Sequence, residues 1–366
     1  MKRWAGVGVA LLLAGCASAP ELFHYRPPAE PGEQSTQVWP EPPETARYAY
    51  VGQLLGEQNF RAAAEARSTG ERMVRWLVGL GSGDREPTVL RRPSALTVDA
   101  DGRVYVTDMA HPSVYVFDPV APRLSVWERA DVGQPFVAPS GVAILPDGEL
   151  LVADAELGAV FRLDGEGRPL GRFGDTPLLR PGGVAWDPYR EEVVVSDIRA
   201  HTLEVFDARG HHRRTLGGPG QAPGRFNAPT QVAVAASGYF ITDTFNARVQ
   251  HLSPEGDPRD SIGQRGLLVG DLVRPKGVAV DRHNNLYVVE SYYGYLLVYD
   301  DQGRFLMPLA TEGTALGGLY LPAGVAVDSR QRVYLADMFN GRVLVFQYLD
   351  QGMDPDLMGL VRYPPD

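Results

Sequence analysis

An all-β architecture follows from a period and from what fills each period. The prolines Pro93, Pro139, Pro181, Pro229, Pro275 and Pro322 are spaced by 46, 42, 48, 46 and 47 residues. Behind each lie small residues, a short apolar strand, a polar turn, a second strand ending in an acidic residue, a further turn and a third strand. Short strands and turn signals repeating near every 45 residues predict the blades of a six-bladed β-propeller.

The fifth and sixth copies display each element. Both open with GVAVD, in which Val and Ala alternate as a short strand. The Gly and Ala leave room where the innermost strands of a radial array crowd together. Polar turns follow at His283-Asn284-Asn285 and Ser329-Arg330-Gln331, the chemistry a hairpin needs. The second strands, LYVV and VYLA, are β-branched and aromatic. Across the copies they end at Asp108, Asp154, Asp197, Asp243, Glu290 and Asp337, and third strands such as VYVFD and RVLVF follow. A fourth, outer strand is predicted in five copies, near Leu124, Gly174, Gly218, Ser261 and Phe305, but not in the sixth.

The last blade therefore needs a strand from elsewhere, because an uncovered edge pairs with other chains. RYAYVGQLL, residues 47–55, has strand composition and is predicted to close the ring. A second candidate is 73–80, where Met73, Trp76, Leu77 and Leu80 read as a short amphipathic helix packed on the propeller. The propeller is thus assigned to 46–349, with closing strand and helix in 46–91, repeats from about 92, and a tail at 350–366.

DTFNARVQHLSPEG from Asp243 and DMFNGRVLVF from Asp337 resemble the NHL repeat, whose core runs Asp, two residues, Asn, one residue, Arg, Val. The other copies depart from it, with His111, Leu157, His201 and Tyr293 near the Asn position. The resemblance implies a closed six-bladed ring. It leaves function open, since NHL domains include enzymes, RNA binders and protein-binding platforms.

The first fifteen residues read as a targeting segment: Met1-Lys2-Arg3, an apolar core from Val7 to Leu13, then Leu13-Ala14-Gly15-Cys16. That ending resembles a bacterial lipobox, which implies a lipid on Cys16, the only cysteine in the chain. The apolar core is too short to span a bilayer, and no disulfide is possible. Ala17 after the cysteine implies, by the same resemblance, retention at the outer membrane. Residues 16–45 are rich in Pro, Glu and Gln and are expected to form an extended tether. The net charge of −10 argues against nucleic acid, whose binding depends on neutralising phosphates.

The acidic strand ends are expected on one face. A carboxylate in every blade suits a structural cap on a turn better than a cation site. A lactonase-like hydrolase is the leading enzyme alternative, but the residues after the repeat prolines are Ser94, Ser140, Gly182, Thr230, Lys276 and Ala323, which include no carboxylate. A zinc lyase needs converging histidines, and only His111 and His201 occupy equivalent loops. No nucleophile-elbow motif or phosphate-cradling loop occurs, and no metal or cofactor is expected.

There remains the rim formed by loops after the acidic residues. Aromatic and arginine side chains there suit binding, and Tyr292, Tyr293, Tyr295, Arg248, Arg342, His111 and His201 are the candidates. Phe245 and Phe339 are expected to tuck between blades. The reading that follows is a lipid-anchored, non-catalytic envelope module binding protein, peptide or glycan.

Overall fold

Each repeat folds into one antiparallel sheet because its apolar runs are separated by turns and covered on both faces by neighbouring blades. A computed structural model describes residues 23–25, 37–60, 86–313 and 318–349. Cys16 and the targeting segment, the 73–80 helix and the 350–366 tail lie outside the described residues. In blade one the strands Pro93–Val98, Val104–Asp108, Ser113–Asp118 and Arg123–Trp127 pair in sequence order. Blade five has the same order, with Pro275–Val280, Leu286–Glu290, Tyr295–Tyr299 and Phe305–Glu312, and adds Gly318–Leu319 at its outer edge. Six such sheets make the predicted all-β propeller.

The innermost strands do crowd. A Cβ added to Gly141, Gly182, Gly277 or Gly324 would strike the backbone oxygen of Gly182, Thr230, Ala323 or Ser94, each on the next blade. Hydroxyls tie the same seam. Ser94 Oγ donates to the Pro139 carbonyl at 3.2 Å, Ser140 Oγ to Pro181 at 2.9 Å and Thr242 Oγ1 to Lys276 at 3.0 Å. Between the sheets the fill is apolar: Val104, Phe117, Tyr334 and Val345 share one cluster, and Tyr287, Val298, Leu335 and Phe346 another. Each fully buried side chain of this size contributes about 1.5–3 kcal/mol.

Blade six consists of Val325–Val327, Arg332–Asp337 and Arg342–Tyr348, and its fourth strand is Tyr48–Leu54 from the N-terminal flank. The pairing is antiparallel, with Tyr48 opposite Tyr348, Tyr50 opposite Phe346 and Leu54 opposite Val343. Gly52, at φ +153°, sits where the register shifts between Tyr50 and Gly52. The closing strand also reaches blade five, where the hydroxyls of Tyr48 and Tyr287 lie 3.1 Å apart.

One expectation is corrected. The 16–45 segment is not wholly a tether, because its described aromatic residues dock. Val38–Trp39 pairs with the closing strand, and Trp39 meets the Phe346 ring edge-on at 5.3 Å. Phe23 lies 5.2 Å from the Phe60 ring. Arg332 donates through Nη1 to the Tyr25 hydroxyl at 2.8 Å. The composition read as uniformly extended, yet these three rings have apolar surface to bury on blade six and the seam beside it.

Candidate functional site

The acidic strand ends come first, because they hold the loops that carry everything else on this rim. All six carboxylates are buried, between 0% and 2% exposed. Each accepts the backbone N–H of the residue two places before its own repeat proline. The donors are Arg91, Val137, Leu179, Asn227, Val273 and Tyr320, at 2.6–2.8 Å. Thus the chain entering each blade is clasped to the end of its second strand.

The remaining acceptor capacity is used in two ways. Asp108, Asp154 and Asp197 also accept N–H groups from the turn that follows, as Asp108 does from Ala110 and His111. Asp243 and Asp337, the two copies with the Asn and Arg signature, instead accept side chains. Asn246 Nδ2 and Arg248 Nε donate to Asp243, and Asn340 Nδ2 and Arg342 Nε donate to Asp337, at 2.7–2.8 Å. Burial pushes the Asp337 carboxyl above its ordinary range, against the pull of these bonds. Among the described residues, no group of three or more His, Cys, Asp or Glu is placed to hold a metal ion.

This geometry separates the candidate binding residues. Arg342 is only 8% exposed; it donates to Asp337 and, through Nη2, to the Gly318 carbonyl. Arg248 also bonds the Ala222 and Arg225 carbonyls. Both arginines point inward, which corrects their placement on an exposed rim: in the Asn–Arg signature the guanidinium partners a buried carboxylate. His201 adopts φ +60° and accepts the Ala228 N–H at Nδ1, 2.9 Å away. His111 sits between the Tyr115 hydroxyl and Glu128, each 3.0 Å from a ring nitrogen. Tyr295 is half-buried beside the core between blades four and five.

Tyr292 and Tyr293 are brought together, edge to face at 5.0 Å, with Tyr292 60% exposed. They line an open cleft of about 600 Å³ between blades four and five, with Phe245, Arg265, Gly266, Leu267, Val273 and Arg274. Phe245 is 50% exposed and Phe339 is 44% exposed, so neither tucks between blades as expected. Phe245 rides on a single 3-10 turn, Thr244–Asn246, which turns its ring outward. Arg274 then covers that ring, its guanidinium carbon 5.8 Å from the centroid.

Several lining residues were absent from the sequence candidates: Arg265, Leu267, Val273 and Arg274. A signal for Leu267 exists. GLLVG, from Gly266 to Gly270, sets three apolar residues in a loop, and Leu267 and Leu268 are 83% and 76% exposed. Consecutive exposed apolar residues are disfavoured unless they serve a function. Glu290, the one glutamate of the acidic series, holds this wall by accepting the N–H groups of Val273, Arg274 and Tyr292 at 2.7–2.9 Å. At Lys276, two residues after Arg274, burial, and secondarily the Arg274 charge, push the ammonium below the usual lysine range.

No family model matches the chain. Over 138 residues it is 25% identical to the protein brain tumor of Drosophila melanogaster, covering 37% of this chain and 13% of that protein. Over 154 residues it is 30% identical to NHL repeat-containing protein 2 of Bos taurus, covering 33% of this chain and 21% of that protein. These matches, each to about a third of the chain, support an NHL-like propeller. The chain nonetheless spans only about a fifth or less of the length of these relatives. Among solved structures, a virginiamycin B lyase from Staphylococcus aureus aligns with a TM-score of 0.53 at 12% identity, covering 70% of this chain and 95% of that one. A gluconolactonase from Xanthomonas campestris aligns with a TM-score of 0.54 at 15% identity, covering 72% and 90%. At such identities the likeness concerns the fold, which hosts binding modules and enzymes alike.

Proposed function

We propose that this chain is an envelope lipoprotein, anchored through lipidated Cys16, whose NHL-type propeller binds a partner without catalysing a reaction on it. The observation that carries the reading is the cleft of Phe245, Arg265, Leu267, Arg274, Tyr292 and Tyr293. Aromatic and arginine side chains around a concave, partly apolar surface are what binding hot spots are made of. The six carboxylates offer no competing chemistry, since each is buried and engaged by N–H or side-chain donors. The relatives support a protein-binding platform, and the Met1–Cys16 segment supports export and anchoring at the outer membrane.

The test uses the full-length lipoprotein as bait in solubilised envelopes. Wild type is expected to retain a partner that Tyr292→Ala with Tyr293→Ala loses, in a domain that still unfolds cooperatively. In parallel, Cys16→Ser is expected to move the protein out of the membrane fraction. A mutant that is processed normally and remains with membranes would overturn the anchoring, and a partner retained by the double tyrosine variant would overturn the cleft.

A further inference from the structure

We infer that the cleft between blades four and five takes an acidic peptide segment whose carboxylates flank an apolar or aromatic side chain. This rests on the binding-module reading and names the chemistry of its partner. The first argument is charge. The chain carries −10 overall, yet among the described residues the cleft presents Arg265 and Arg274 and no carboxylate side chain. Asp271 abuts Gly266 but is engaged by the Leu268 N–H and the Gln264 amide. Glu290 is buried beneath, holding backbone.

The second argument is what the arginines already do. Arg265 donates one Nη2 bond to the Phe245 carbonyl at 2.8 Å, and Arg274 rests against the Phe245 ring. Neither forms an ion pair with a described residue, whereas Arg180, which like Arg274 directly precedes a repeat proline, pairs with Glu156 at 2.7 Å. A guanidinium held in place by an aromatic face keeps its forked donors for an incoming carboxylate.

The third argument concerns the apolar half. Leu267, Val273 and the perpendicular pair Tyr292–Tyr293 form a notch and not a flat platform. Among the described residues, the lining has no carboxylate or amide side chain to accept sugar hydroxyls. A concave floor receives a protruding side chain, and the exposed Leu267 and Leu268 of the neighbouring loop are what a bilayer would meet instead. Peptide is therefore favoured over glycan for the cleft itself, and binding to phosphatidylglycerol vesicles decides for or against a bilayer.

A random dodecapeptide display library, panned on the immobilised full-length protein with an unliganded propeller as subtraction, tests this. Recovered sequences are expected to pair Asp or Glu with Leu, Phe, Tyr or Trp. The best peptide, made synthetically, is expected to bind at least tenfold more weakly to Arg274→Met and to Arg265→Met. Its affinity should also fall with salt. Neutral or basic sequences, no enrichment at all, or binding indifferent to both arginines would overturn the inference. So would tighter, Arg274-dependent binding of polygalacturonate or of phosphatidylglycerol vesicles. If envelope capture depends on Tyr292 while acidic peptides fail, only the peptide class is wrong. If Tyr292 is also dispensable, the binding-module reading falls with it.

Discussion

Two parts of one rim are built on opposite principles. The acidic clasps occur in every blade, lie buried and have their oxygens engaged. The cleft of Phe245, Arg274, Tyr292 and Tyr293 lies open at one seam; its tyrosine pair is found there, its Arg–Phe contact recurs as Arg92 over Phe339, and its guanidinium donors are free of ion pairs among the described residues. What repeats holds the ring together; what occurs once is either the closure or the site. Repeat architectures sum equivalent interfaces, so a part needed at each interface must recur, and a grafted site need not.

The largest effect should come from the other single-copy part. Removing the chain through residue 55 strips the outer strand from Val343–Phe346 and bares a long edge. Aggregation or loss of the cooperative transition is expected, whereas a chain beginning at residue 22 should melt like wild type. Equal melting of both would show that closure does not depend on Tyr48–Leu54. A chain beginning at residue 37 should fall slightly below wild type, because Phe23 and Tyr25 dock.

Asp243→Ala should be next. It deprives the Asn227 N–H, Asn246 and Arg248 of their acceptor in a buried setting. Leaving a buried partner charge unpaired costs about 3–5 kcal/mol, read as a lower urea midpoint. A change below about 1 kcal/mol would mean that the clasp is dispensable.

Tyr292→Ala draws the opposite contrast. Tyr292 is 60% exposed, so stability should move by no more than about 0.5 kcal/mol. Partner affinity should weaken by about 2 kcal/mol, the scale of an interface hot spot. A tyrosine variant that unfolds easily yet binds normally would reverse the roles assigned to clasp and cleft.

The smallest effect is expected at Lys276. Its folded-state pKa is lowered from 10.5 by burial, so below that lowered value the folded state bears the full cost of a buried ammonium. Lys276→Met should therefore raise the melting temperature at neutral pH. The gap should close as pH climbs toward 10.5, because the unfolded chain then binds more protons than the folded one and wild-type stability rises. A gap constant with pH would assign the effect to packing alone.

The sequence made the ring legible down to its closing strand, since Tyr48 and Tyr50 lie opposite Tyr348 and Phe346. It also carried a second acidic series, the Asp that closes the first strand in ALTVD and in the two GVAVD runs. Asp99, Asp281 and Asp328 accept the hydroxyls of Tyr105, Tyr287 and Tyr334, six residues on, at 3.0–3.2 Å. The cleft was only half legible. Tyr292 and Tyr293 were legible as loop aromatics, but Arg248 and Arg342 resembled rim arginines and proved to be internal partners of Asp243 and Asp337.

The reason lies in the range of each interaction. Strand, turn and repeat are local patterns, and a period near 45 residues leaves a closed ring as the arrangement that covers every sheet, so the chain text alone carries the architecture and its prolines mark the blades. Whether a side chain faces partner or solvent depends on a neighbour far along the chain. Arg274 reaches Phe245 across a blade seam, and Leu267 enters the same cleft from the loop between their blades. Arg342 turns inward where its Nη2 also donates to the Gly318 carbonyl, on a segment well before its own hairpin. Only the folded ring brings such groups within contact distance, and burial then decides which charges are already paired and which remain for a ligand.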